Sequence, residues 1–236
     1  MAKIRIGKAI DLTLSKKYSI YKYDKYQTLD SFSKILKTNF VFISVPTPFD
    51  CSENVVDDSS VIESLSRLSD NEYSGIVVLK STLPPGSCER YLEKYNLKLV
   101  YNPEFLREST TPNEDFKNQK IVVIGSQRDK HFGEVRDMFE RVLSREAEYF
   151  QTSYKEAEMI KCAQNTMLAS RVAMANLIFD ACVENQIDYN KIRNIAFDKF
   201  QIIGPHMSLV PGPDGKRGFG GKCLPKDIRA FSTIQS

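Results

Sequence analysis

Short apolar runs recur along the first two-thirds of this chain, each separated from the next by an amphipathic stretch about one helix long. The clearest is Phe40–Val45 (Phe-Val-Phe-Ile-Ser-Val). A strand wet on one face alternates apolar with polar residues, so a nearly continuous apolar run fits a strand covered on both faces. Gly75–Leu79, Leu97–Tyr101 and Lys120–Gly125 repeat the pattern, and Ile4–Gly7 and Tyr18–Tyr23 also read as strands. Between them the periodicity predicts helices over Leu29–Lys37, Asp58–Leu68, Gly86–Tyr95 and Asp129–Leu143. Strands alternating with helices predict an α/β fold with a doubly wound parallel sheet. Ligands of such sheets sit beyond the carboxyl ends of the strands.

The pattern changes after residue 150. Ser153–Asn185 contains neither Gly nor Pro, and as one helix it would be roughly 50 Å long. Between Cys162 and Val183 only Arg171 and Asp180 are charged. A helix apolar around most of its circumference is normally buried on most sides, yet only a short helix near Tyr189–Lys199 follows before a glycine-rich loop. A second copy of the chain is the expected cover, giving a homodimer with Ala163, Met167, Val172, Ala175, Ile178 and Cys182 in the seam or its supporting core. The organisation expected is therefore a sheet domain over residues 1–150 and a helical region over 151–236.

Charge and cysteine usage exclude several classes. Lys plus Arg number 33 against 30 Asp plus Glu, a net charge of +3, and no basic run carries interleaved aromatics. Nucleic acid is not an expected partner. A membrane span needs about 20 consecutive apolar residues; no stretch reads that way, and the start, Met-Ala-Lys-Ile-Arg-Ile-Gly, lacks the apolar core of a secretory signal. The five cysteines are widely spaced, no Cys-x-x-Cys pair occurs, and there are two histidines. No metal site is expected, and a reducing cytoplasmic compartment suits the thiols.

Four segments concentrate groups with chemistry. In Gly218-Phe-Gly-Gly-Lys-Cys-Leu-Pro-Lys-Asp227, Pro225 suits a first helical position, which puts Cys223 just before a helix N-terminus. That dipole with Lys222 and Lys226 favours thiolate; an ordinary loop with an incidental cysteine is the alternative. In Tyr101-Asn-Pro-Glu-Phe-Leu-Arg-Glu108, Glu104 and Glu108 are four apart and share a face in a helical turn, as base and electrostatic anchor or as a solvated acidic turn. Lys161 and Asn165, also four apart, suit an oxyanion or merely decorate a helix surface. Lys80-Ser-Thr-Leu-Pro-Pro-Gly86 follows a strand and opens a helix, placing the Thr82 hydroxyl at the ligand edge or in a plain connection.

Taken in order, Val45-Pro-Thr-Pro48, Lys80–Gly86, Asn102-Pro-Glu-Phe-Leu-Arg-Glu108, Ala157-Glu-Met-Ile-Lys161 with Asn165, and Gly220-Gly-Lys-Cys-Leu-Pro-Lys-Asp227 form a series. It resembles the UDP-glucose/GDP-mannose dehydrogenase family from about Tyr18 onward. The resemblance implies a Rossmann-like NAD-binding domain over 1–150, its sheet truncated at its start. It implies a helical central dimerisation region over 151–236. It also implies NAD-dependent oxidation of the C6 alcohol of a nucleotide sugar, UDP-glucose first and GDP-mannose as rival. In the family's scheme the residue matching Cys223 captures the C6 aldehyde as a thiohemiacetal, which is oxidised to a thioester and cleaved by water. Lys161 and Asn165 match the oxyanion-stabilising residues, Asp227 and Thr82 those holding water, and Glu108 a proposed base. Asp24, Val45, Pro46, Thr47, Thr82 and Glu108 match the cofactor side. Glu104, Phe105, Leu106, Arg107, Lys161, Asn165, Phe219 and Gly220 match the substrate side.

The sequence departs from the family in two respects. The fingerprint Gly-x-Gly-x-x-Gly is reduced to Gly7, with no further glycine until Gly75, and Gly7 stands 17 positions before Asp24. Close approach of backbone to pyrophosphate is thereby weakened. The family's nucleotide-reading domain is expected from elsewhere, as a separately encoded partner. Besides an active trimmed dehydrogenase, a non-catalytic remnant pairing with a complete relative and a nucleotide-binding module with altered chemistry are open.

Overall fold

The computed structural model describes residues 6–105, 112–199, 215–221, 224–226 and 229. The chain divides into two compact units, Met1–Pro48 with Val56–Lys161, and Phe49–Val55 with Cys162–Ser236. The first elements are α1 (Ile6–Leu14), α2 (Phe32–Ile35), β1 (Phe40–Ile43), the short strands β2 (Phe49–Asp50) and β3 (Val55–Val56), and α3 (Ser59–Asp70). They are followed by β4 (Ile76–Leu79), α4 (Ser87–Lys94), β5 (Lys98–Tyr101), α5 (Pro112–Lys117), β6 (Ile121–Gly125), α6 (Asp129–Glu140) and β7 (Glu148–Thr152). The long helix α7 (Tyr154–Glu184) leads to α8 (Tyr189–Ile192) and a π-helical turn, Arg193–Lys199.

The apolar runs become a five-stranded sheet of order β1-β4-β5-β6-β7. β1, β4 and β5 are parallel neighbours, as are β6 and β7. Between β5 and β6 the contact is an antiparallel bridge, Tyr101 with Gly125, so the sheet is mixed rather than wholly parallel. Successive residues of a strand face opposite sides, and the two cores follow that rule. Val77, Leu79, Leu99, Tyr101 and Val123 join α3, α4 and the start of α7. Ile76, Val78, Val100, Val122 and Ile124 join α1, α5 and α6. Apolar cover on both faces explains why the Ile76–Leu79 run does not alternate.

Two expected strands do not form. Ile6 and Gly7 open helix α1, with residues 4 and 5 outside the described set. Ala9, Ile10, Thr13 and Leu14 are buried, a spacing that makes one face of a helix. Tyr18–Tyr23 has no ladder partner among the described residues and forms no regular element. Tyr18 and Ile20 instead lean on the second core, and the Tyr18 hydroxyl donates to Met138 O at 3.1 Å. β2, β3, β7 and α5 are elements the apolar pattern did not announce.

α7 confirms the long helix but not its burial. Ala169, Ala175 and Cys182 are buried, while Met167, Met174, Leu177 and Val183 are half or more exposed. Ala175 and Cys182 thus face their own chain; Cys182 packs with Ile178, Phe179, Tyr189, Ile192 and Phe197. α7 also carries an 18-residue window of mean hydropathy 1.3, long and apolar enough by composition alone to cross a membrane. That revises the expectation that no stretch approaches a span. Arg171 and Asp180 lie within the helix, and a charge at a bilayer centre costs about 2.5–3.5 kcal/mol, which disfavours a span.

Gly125 shows where α7 meets the sheet. A Cβ there would lie 2.9 Å from the Ala157 Cβ and 3.2 Å from Ser153 O. Gly133, within α6, has nothing within 4 Å. Gly125→Ala should lower stability by about 1–3 kcal/mol through overpacking. Gly133→Ala should raise it by about 0.5–1 kcal/mol, because alanine loses less conformational freedom in a helix. Urea midpoints of the two variants should move in opposite directions.

Candidate active site

Three strand ends bring the first group of residues together. Val45, Pro46 and Thr47 follow β1, Lys80–Thr82 follow β4, and Asn102–Phe105 follow β5. Ser81 stitches the first two loops: its hydroxyl donates to Val45 O at 2.7 Å and accepts from Val45 N at 3.0 Å. The Thr47 hydroxyl donates to Thr82 O at 2.8 Å. Thr47 is buried and Thr82 half-buried. The Val45–Thr47 and Thr82 segments are thereby held side by side, as a cofactor edge requires.

Beneath them is a buried ionic network. Lys80 is 2% exposed; its ammonium donates to Asn102 Oδ1 at 2.6 Å and lies 3.2 Å from Glu104 Oε2. Asn102 in turn donates through Nδ2 to Val123 O at 2.7 Å, linking β5 to β6 beside the point where their ladder narrows to one bridge. Glu104 Oε1 accepts from Phe105 N at 3.0 Å. The rings of Phe116 and Phe139 face the Lys80 ammonium at 5.7 and 5.9 Å. Burial pulls Lys80 down from its ordinary value and Glu104 pushes it back.

The first turns of α7 add the third group. Glu158 is fully buried, and its carboxylate accepts from Gly86 N at 2.6 Å and Cys88 N at 2.8 Å. α4 has no side-chain cap of its own at Gly86, so α7 supplies one across the fold. Burial pushes the Glu158 carboxyl up, and the Cys88 and Gly86 donors offset only part of that. Lys161 and Asn165 follow at the same helical spacing, and both are buried. The Lys161 ammonium stands 5.4 Å from the centre of the Phe105 ring.

In the second unit Phe219 is half-buried and Gly220 exposed. Arg217, in the same loop, forms an ion pair with Asp180 of α7 and lies over Phe179 at 5.0 Å. The helix expected at Pro225 is seen at 224–226, and Arg229 donates to the Cys51 sulfur. Leu106, Arg107, Glu108, Cys223 and Asp227 lie outside the described residues.

The cofactor side divides. The stitched loops after β1 and β4 lie at the carboxyl ends of their strands, where ligands of such sheets sit. Gly7, by contrast, lines no cradle that a Cβ would fill. The described strand order runs in one direction without the reversal at which a dinucleotide ordinarily lies. Asp24 is half-buried, and its carboxylate accepts from Tyr26 N and the Gln27 amide. Among the described residues, no glycine cradle for a pyrophosphate is seen.

The chain matches the NAD binding domain of the UDP-glucose/GDP-mannose dehydrogenase family over residues 14–143, and that family's central domain over 155–236. It belongs to that family. Among curated proteins it is similar to UDP-glucose 6-dehydrogenase of Rickettsia bellii, 34% identical over 208 residues, covering 85% of this chain and 46% of that protein. It is also similar to UDP-glucose 6-dehydrogenase AglM of Haloferax volcanii, 29% identical, covering 89% and 51%. Among solved structures, UDP-glucose dehydrogenase of Pyrobaculum islandicum superposes with a TM-score of 0.71 at 28% identity, covering 86% of this chain and 47% of that one. GDP-mannose dehydrogenase of Pseudomonas aeruginosa gives 0.61 at 26%, covering 86% and 48%. The chain spans about half the length of the relatives it matches.

Ser81, Lys80, Asn102 and Glu158 are polar contributors that sequence reading did not assign. A lysine directly after the fully apolar Ile76–Leu79 run was the available signal, since such a position is buried and demands a partner. Glu158 offered none, because its partners are 70 and 72 residues away.

Glu158→Ala should leave the Gly86 and Cys88 amides unpaired, cost about 1–3 kcal/mol, and speed hydrogen exchange at both. A carboxyl whose folded pKa is raised contributes most below its ordinary value of 4.5 and loses that contribution as pH climbs through the raised value. Wild-type stability relative to Glu158→Gln should therefore fall as pH rises above 4.5, read from paired urea titrations.

Proposed function

We propose that this chain supplies the NAD-binding and sugar-oxidising parts of a nucleotide-sugar 6-dehydrogenase converting UDP-glucose to UDP-glucuronate. The supporting observation is the buried Lys161 ammonium over Phe105, in the unit that also holds Thr82 and Glu104. A fixed, desolvated cation suits an oxygen that gains charge during reaction. The overall change consumes one primary alcohol, two NAD⁺ and one water, and yields one carboxylate, two NADH and three protons.

In this reading Val45, Pro46, Thr47, Thr82 and Glu108 hold the nicotinamide end of NAD and Asp24 its ribose. NAD, when bound, accepts the hydride in each oxidation. Glu104, Phe105, Leu106, Arg107, Phe219 and Gly220 hold the sugar nucleotide. The Cys223 thiolate adds to the C6 aldehyde, and the carbonyl oxygen becomes an alkoxide held by Lys161 and Asn165, then takes a proton. After the second oxidation a thioester joins Cys223 to C6. Asp227 and Thr82 hold the water that attacks C6, Glu108 takes its proton, and the carbon–sulfur bond breaks to return the thiolate. Covalent capture keeps the aldehyde from escaping between the two oxidations.

The exposed residues Ala163, Met167, Ser170, Met174 and Leu177 recur at alternating spacings of four and three, the repeat of a helix seam. We assign this stripe to a homodimer, in a cytoplasmic setting suited to the thiols of Cys51, Cys88, Cys162 and Cys182. A second reading, a non-catalytic chain that pairs with a complete relative, is favoured by the open surroundings of Gly7.

NADH absorbance with UDP-glucose, and with GDP-mannose as competitor, decides between them. Asn165→Ala should lower kcat on the order of 10²-fold, and Cys223→Ser should end thioester formation. No NADH and no calorimetric binding of NAD or UDP-glucose would favour the second reading. Met174→Glu with Leu177→Glu should convert a sedimenting dimer to a monomer with unchanged helical circular dichroism. Ala175→Glu would not make that test, because Ala175 is buried in its own chain.

A further inference from the structure

Asn176, Phe179 and Asp180 of α7 follow the three- and four-residue spacing that puts side chains on one helix face, and one guanidinium meets all three. Arg217 donates through Nη2 to the Asp180 carboxylate and to Asn176 O at 3.4 Å, and through Nε to Asn176 Oδ1 at 3.5 Å. It also lies over the Phe179 ring, 5.0 Å from its centre. All of these groups belong to the second unit.

The helix side of this contact is itself held in place. Asn176 Nδ2 donates to Val172 O at 2.8 Å, which sets the direction of the amide. Phe179 packs edge-on against Tyr189, ring centres 5.3 Å apart, in the cluster that includes Cys182 and Phe197. An exposed ion pair alone contributes little. A planar guanidinium that pairs, donates to an amide and stacks on a ring is a stronger anchor, and lysine cannot reproduce it.

The anchored segment is otherwise hard to hold still. Glycine occupies four of the seven positions from 215 to 221, and glycine loses more conformational freedom on ordering than any other residue. Gly218, directly after Arg217, has a φ of 98°, so the chain turns immediately past the anchor. Phe219, half-buried, and Gly220 follow that turn.

We propose that Arg217 is a positioning residue for the sugar nucleotide: it clamps the glycine-rich loop to α7 and so holds Phe219 and Gly220 in place for the substrate. The proposal rests on the functional reading above, in which those two residues meet the sugar nucleotide. Arg217 touches no reacting atom in this scheme. A loop held in its binding shape beforehand spares the substrate the cost of ordering it. Loss of the clamp therefore falls on binding, raising KM, rather than on kcat. Arg229 keeps a separate hold, donating to the Cys51 sulfur at 3.0 Å, so releasing Arg217 frees the loop and leaves that later contact in place.

The test uses the full chain with Asp180→Ala, Arg217→Ala, both together, and Arg217→Lys. Asp180→Ala leaves the loop sequence unchanged. The first measurement is chymotryptic cleavage of the Phe219–Gly220 bond in the native protein, which tracks the population of open loop. The second is KM and kcat for UDP-glucose from NADH formation. Cleavage rate and KM should each rise about 5–30-fold in the two alanine variants, with kcat near that of wild type. The double variant should be no worse than Arg217→Ala alone, because both substitutions remove one shared contact. Arg217→Lys should fall between, since it keeps the charge without the fork. Both side chains are half-exposed, so the variants should keep the wild-type circular dichroism; its loss in both alanine variants would make the pair structural and overturn the proposal. Unchanged cleavage overturns the clamp. Faster cleavage with unchanged KM, whatever happens to kcat, overturns the positioning role. A wild-type chain that neither forms NADH nor binds UDP-glucose overturns the functional reading and the substrate role with it, whereas cleavage still reads the clamp itself.

Discussion

Burial of β4 on both faces governs the architecture of the first unit. Ile76–Leu79 is wholly enclosed, with Val77 and Leu79 in one core and Ile76 and Val78 in the other. Apolar burial stabilises by roughly 25 cal/mol per Å², so such a strand cannot tolerate an uncovered side. Helices α3, α4 and the start of α7 must lie on one face, and α1, α5 and α6 on the other. With both faces occupied, polar chemistry can emerge only where the strands end. The buried polar groups of this unit therefore gather immediately after β1, β4 and β5.

Those strand ends are deep, and depth imposes its own requirement. A buried polar group without a partner costs about 1–3 kcal/mol, and a charged one more. Each such group here is tied to another: Ser81 to both Val45 backbone groups, Thr47 to Thr82, Lys80 to Asn102 and Glu104, and Asn102 to Val123. Satisfying these groups also makes them rigid, which is what a site needs in order to present hydroxyls and carboxylates in fixed directions. Glu158 extends the same logic from a helix, ending α4 with a carboxylate borrowed from α7.

α7 performs two jobs on different sides. One stripe, Glu158, Lys161, Cys162, Asn165 and Ala169, is buried and largely polar. The other, through Met167, Met174 and Leu177, is exposed and apolar. That division accounts for a helix whose overall composition is nearly apolar while its buried stripe carries Glu158 and Lys161. It also explains why composition alone allows a membrane span that the placement of Arg171 and Asp180 disfavours.

The sequence by itself determined much of this protein. Apolar runs located β1, β4, β5 and β6 to within about two residues, and the absence of Gly and Pro marked α7 almost end to end. The order of the motifs around Thr82, Glu104, Lys161 and Asn165 was enough to mark the family, because residue identity at fixed spacing is a linear property. Strand formation at Tyr18–Tyr23 was not decided locally, since a strand exists only with a ladder partner and this segment has none among the described residues. β7 (Glu-Tyr-Phe-Gln-Thr) was missed for the complementary reason: its residues are mostly exposed or half-buried, and only the backbone of β6 makes them a strand. The Lys80–Glu104 pair and the Glu158 cap were decided by tertiary structure alone. Each joins groups 24 to 72 residues apart, and no local pattern records which buried charge will meet which donor.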